Sequence, residues 1–65
     1  MTIEQMVTAT IRDTGEAEIT GQEGQRGVLF FDEGEFIPFA DLGYNSRLGF
    51  YRLSQFPDVE NEAEQ

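Results

Sequence analysis

The sequence contains no cysteine and no histidine, and its four basic residues are all arginine. Without cysteine there is neither a disulfide framework nor a thiolate metal site to reinforce a small core. Without histidine the chain lacks the commonest general base, the usual zinc ligand and the side chain that titrates near neutral pH. The absence of lysine removes Schiff-base chemistry and the phosphate-binding lysine of P-loops. No run approaches 18 apolar residues, and the N-terminus has no basic region followed by an apolar stretch, so a cytoplasmic location is expected. What is present is an acidic chain of 65 residues with six Phe, seven Gly and a formal net charge of −9. A single domain of that size buries only about 60% of the surface of its unfolded chain.

The charge is unevenly placed. Residues 1–53 carry nine acids and four arginines, a net −5, whereas Asp58, Glu60, Glu62 and Glu64 give the last twelve residues −4 with no base. The terminus has Val59 as its one sizeable aliphatic residue. It therefore divides the chain into a folded domain over 1–56 and a flexible acidic tail over 57–65. Arg12, Arg26, Arg47 and Arg52 against thirteen carboxylates disfavour binding to a phosphate backbone, whose affinity comes from cationic side chains.

Alternation dominates the local pattern. Val7, Ala9 and Ile11 alternate with Thr8, Thr10 and Arg12, and Ala17 and Ile19 with Glu16, Glu18 and Thr20, as in half-buried strands. A three-residue loop, Asp13-Thr14-Gly15, places both apolar sets on one face and sets Arg12 opposite Glu16. The opening Thr2–Met6 segment reads as a strand extension, although Thr2 and Gln5 also have capping-box spacing. A polar connector over 21–27 leads to a second hairpin, Val28–Phe31 and Glu35–Phe39 around Asp32-Glu33-Gly34, with Pro38 at an edge or strand end. Ala40–Gly43 reads as one helical turn, residues 44–46 as a loop and 47–53 as a last strand. Two hairpins, one helical turn and a final strand predict an all-β fold, a small five-stranded SH3-like barrel with a disordered acidic tail.

The candidate chemistry is sparse. Ser46, Ser54 and the threonines have no histidine or lysine to activate them, and carboxylate pairs would need a cleft deeper than this domain offers, so no enzyme activity is expected. Asp32, Glu33, Glu35 and Asp41 lack the alternating oxygen ligands of a calcium loop, and no metal or cofactor is expected.

Eight aromatic residues carry more information. Adjacent residues of a strand face opposite ways, so Phe30 and Phe31, or Phe50 and Tyr51, cannot share one core. Continuity with Leu48 assigns Phe50 to the core and turns Tyr51 outward. Outward rings either line a second small core or form an exposed patch, flanked by Arg47 and Arg52, that binds another protein. The carboxylates suggest a complementary role, a charge array that meets a basic groove in the manner of a nucleic-acid mimic, or simply a surface kept soluble. The leading reading is a non-enzymatic, acidic regulator or inhibitor that docks on a basic protein surface through Phe31, Tyr44, Arg47, Tyr51 and Arg52 with Asp32, Glu33 and Glu35. A short chain beginning at Met1 fits such an inhibitor or an accessory subunit. The second reading is a structural subunit that forms homo-oligomers through the aromatic face. A barrel binding single-stranded nucleic acid ranks third, because the net charge opposes it.

Overall fold

The computed structural model describes residues 1–64. The chain is mostly β, with one helix and two small sheets, and the described residues form no closed barrel. The order is α1 (Ile3–Thr14), β1 (Ala17–Gln22), β2 (Gln25–Phe30), β3 (Glu35–Pro38), a 3₁₀ turn (Phe39–Asp41), β4 (Leu42–Asn45) and β5 (Gly49–Arg52). The first three strands form one antiparallel sheet in the order β1-β2-β3, and the last two form the other.

The first hairpin anticipated from the alternation over 7–11 does not form, because that segment is helical. Period two is satisfied by Val7, Ala9 and Ile11, but Ile3, Met6, Val7 and Ile11 also make a helical stripe at i, i+3, i+4 and i+8. The caps decide between them. Thr2 accepts from the Gln5 N–H while the Gln5 side chain accepts from the Thr2 N–H, a complete capping box. Gly15, in the left-handed region at φ 67°, closes the other end by donating to Ile11 O. The threonines that suggested a strand are accommodated because Thr8, Thr10 and Thr14 donate to carbonyls four residues back. Arg12 therefore sits in the last helical turn rather than across a ladder from Glu16.

Ala17 and Ile19 do alternate inward as their pattern requires, but their partner is β2. Ala17 faces Phe30, Ile19 faces Val28, and Val28 in turn faces Ile37 of β3. Paired residues share a face, so these side chains form one apolar surface on which Ile3 and Val7 of the helix close the core. The connector over 21–27 is the remainder of this hairpin. Glu23 at φ 52° and Gly24 at φ 81° form a two-residue turn with both central residues left-handed, the type I′ geometry that matches strand twist.

Pro38 ends β3 on an edge strand, as its missing N–H demands. Residues 44–46 are not simply a loop, since Tyr44 and Asn45 belong to β4 and pair with β5. Gly43 allows that pairing. A Cβ there would stand 2.6 Å from Leu53 Cδ2 and 2.9 Å from Tyr51 Cζ.

The boundary drawn at residues 56 and 57 has no counterpart in the packing. Ala63 is buried in the core, Glu62 N–H donates to Tyr44 O, and the Asn61 side chain accepts from Tyr44 N–H. Thr2 and Glu64 form a parallel bridge that ties the two ends of the described chain together. Polar side chains make this docking possible: Asn61 Oδ1 and Glu62 Oε2 supply acceptors to the otherwise open edge of β4 and to Ser46. A count of apolar residues in the segment could not reveal those bonds. Gln65 lies outside the described residues.

Candidate functional site

Both faces of the last strand are covered: Phe50 packs against the main core as its pattern suggested, but Tyr51, expected to face outward, is the more deeply buried. Tyr51 is the buried residue, 5% exposed, with its ring 6.1 Å from that of Phe56 in an edge-to-face arrangement and its hydroxyl donating to Val59 O at 3.2 Å. Phe50 is half-buried and meets Tyr44 edge to face at 5.2 Å. Leu48, whose continuity with Phe50 pointed inward, is 50% exposed in the β4–β5 turn. The C-terminal segment accounts for Tyr51, because Phe56 and Val59 fold over its side of the strand and bury it.

Arg52 joins the two sheets. Its Nε donates to Glu35 Oε1 at 2.6 Å, its Nη2 donates to Phe36 O at 3.2 Å, and Nη1 lies 3.5 Å from Asp41 Oδ2. A guanidinium is suited to this because its donors are fixed in one plane and can serve three acceptors at once. Asp41 is held on its other side, where its carboxylate accepts from the Ser54 N–H and hydroxyl.

Above this clamp lies an open groove of about 230 Å³ between the β2–β3 turn with β3 on one side and β5 with the segment after it on the other. Glu33 and Glu35 contribute its carboxylates. Ile37, Leu48, Phe50 and Phe56 supply its apolar lining, and Tyr51 and Arg52 line it as well. Phe56 is 45% exposed, so the groove carries an uncovered apolar lip. Its volume is below the roughly 300–1,000 Å³ of sites that enclose a small molecule. Among the described residues no group of three or more acidic side chains is arranged to hold a metal ion.

Of the residues singled out in the sequence, Glu33, Glu35, Tyr51 and Arg52 therefore meet at one groove. Phe31, 53% exposed, and Asp32 occupy the turn that leads into it. Tyr44 lies on β4 against Phe50, and Arg47 is exposed in the β4–β5 turn, where its N–H donates to Asn45 Oδ1. Leu48, Phe50 and Phe56 were not among those residues. The signal for Phe56 was its isolation as an aromatic beside an acidic terminus. Leu48 and Phe50 were masked by an alternation that fits core and surface equally well.

A second, smaller cavity of about 50 Å³ lies between α1, the three-stranded sheet and β5, bounded by Val7, Ile11, Ala17, Val28, Phe30 and Phe50 among others. It is a packing gap of the core. No helix of the described residues is long and apolar enough to cross a membrane. Compared with protein-family models, with curated proteins and with solved structures, the chain has no match.

Proposed function

We propose that this protein is a non-enzymatic binding module, an acidic regulator or inhibitor that docks on a basic surface of a partner protein. The observation that carries this reading is the groove itself, where exposed Leu48 and Phe56 line the same cavity as Glu33 and Glu35. An apolar anchor beside a charged rim is the usual composition of a protein–protein contact. The net charge of −9 supports a basic partner and speaks against nucleic acid. The absence of histidine, lysine and cysteine supports a role without catalysis.

The reading is tested by retaining partners from a source lysate on the immobilised full chain and eluting across a salt gradient. Exposed charges are screened within about 8–10 Å at physiological ionic strength, so a charge-led contact loses affinity steeply as salt rises. Elution independent of salt overturns the carboxylate role. A second reading, self-association, draws on the exposure of Phe31, Leu48 and Phe56 on one molecule. It predicts a concentration-dependent mass in sedimentation.

A further inference from the structure

Of the charged groups that line the groove, Arg52 and Glu35 are engaged and Glu33 is free. Arg52 uses its guanidinium on Glu35, Phe36 O and Asp41, and Glu35 Oε1 accepts from both Nε and Nη2 of Arg52. Asp41 does not line the groove, but together with Glu35 it sets two carboxylates against one guanidinium. Arg52 therefore has no surplus positive charge to offer Glu33. The Glu33 side chain has no hydrogen bond or ion pair among the described residues, and Glu33 is exposed. The same cavity is lined by Leu48 and Phe56, both exposed apolar side chains. An unanswered carboxylate and uncovered apolar surface thus share a space of about 230 Å³. That is less than the roughly 300–1,000 Å³ that encloses a small-molecule ligand, and it suits a single inserted side chain.

We infer that the groove receives one arginine side chain presented by the partner protein. Its methylene stem covers the apolar lining while its guanidinium pairs with the Glu33 carboxylate. Long cationic side chains divide themselves in this way between apolar surface and water. Lysine would bring the same charge, but as a compact and strongly hydrated point. A guanidinium is planar and more weakly hydrated, offers two parallel donors to one carboxylate, and is attracted to an aromatic ring such as the 45% exposed Phe56. An anionic occupant would meet Glu33 and Glu35, and a purely apolar one would leave Glu33 unanswered. Arginine is also one of the residues that most often carry the energy of a protein–protein contact. A second copy of the chain could offer its exposed Arg47, but it would bring a net charge of −9 toward a molecule of the same charge. This inference rests on the reading of the protein as a binding module and names the partner's anchor.

The test titrates the isotope-labelled full chain with arginine capped at both ends by acetyl and methylamide groups, at constant ionic strength, and follows the backbone amides by NMR. Saturable shifts are expected at Glu33, Leu48 and Phe56. Capped lysine should bind more weakly, and capped norleucine, which keeps the stem and loses the charge, more weakly still. Glu33→Gln should lower the affinity for capped arginine about two- to fivefold, the worth of one exposed ion pair. Leu48→Gln should lower it as well, and both variants should melt as the parent does. Lysine or norleucine binding as tightly as arginine, or the absence of a saturable shift, overturns the inference. Shifts confined to residues 60–64 and unchanged in Glu33→Gln overturn the groove while leaving the acidic-module reading standing. Partner capture that ignores salt overturns that reading instead, whatever the titration shows. A parent dimer dissolved by Arg47→Ala replaces the partner's arginine with that of a second copy and also overturns the inference.

Discussion

Truncating Tyr51 to alanine should destabilise this protein more than truncating Phe50, although the two side chains are adjacent and similar in size. Tyr51 is buried on both sides, by Gly43 across the ladder and by Phe56 from the following segment, and its hydroxyl donates to Val59 O. Removing a buried aromatic costs about 3–5 kcal/mol. Phe50 is half-buried, which scales the same term to about 2 kcal/mol. A conservative change, Tyr51→Phe, isolates the hydroxyl and should cost about 1 kcal/mol, the net value of one hydrogen bond. Against a total stability of about 3–10 kcal/mol for 65 residues, Tyr51→Ala should unfold a large share of the molecules. Urea denaturation followed by far-UV circular dichroism measures all three on one scale, with the slope of the transition checking that the unfolded states are comparable. If Phe50→Ala proves the costlier substitution, or Tyr51→Ala stays within 1 kcal/mol of the parent, the burial of the last strand has been assigned to the wrong face.

Three further perturbations probe the elements that position Tyr51 and the groove. Deleting residues 58–65 should lower the melting temperature by at least about 8 °C, because it removes the buried Ala63 and the bonds of Asn61 and Glu62 to β4; an unchanged melt means the segment contributes nothing to the fold. Glu23→Asn should stabilise the protein by about 0.5–1 kcal/mol, since asparagine tolerates the left-handed turn position that glutamate holds at φ 52°, and a loss of stability in denaturation would exclude the type I′ turn. Gly43→Ala should cost about 1–3 kcal/mol, as its Cβ would crowd Leu53 and the Tyr51 ring, and a neutral result would show that β4 and β5 do not approach as closely as their register requires.

The local signals in this sequence are correct more often than the structures inferred from them. Gly15 does adopt a left-handed conformation, but as the C-cap of a helix rather than in a hairpin loop. Ala17 and Ile19 do face inward, but against Val28 and Phe30 rather than against Val7–Ile11. Pro38 does sit at the end of an edge strand, and Asp32-Glu33-Gly34 does lie in a turn. The helix itself was legible in the Thr2 and Gln5 capping pair and the Ile3, Met6, Val7, Ile11 stripe. It was obscured because the same residues also satisfy period two, and a short apolar set with threonines between its members fits either period.

The sequence by itself determined what chemistry is unavailable, where the chain must turn, and that acidic charge outweighs basic charge by nine. These are properties of single residues and of neighbours along the chain, and they hold in any fold the chain adopts. Only the tertiary structure decided that the Tyr51 side of β5 is the more deeply buried, whether the acidic terminus joins the core, and which carboxylates meet Arg52. Each of those depends on partners outside the element itself: Tyr51 on Phe56 and Val59 beyond the end of its strand, Tyr44 on Asn61 and Glu62, and Arg52 on Glu35 and Asp41. The physical reason is that alternation states only that two faces differ. Which face is inside is set by what comes to cover it, and here the cover is the C-terminal segment, which joins the Phe56 ring to hydrogen bonds that no count of apolar residues could register.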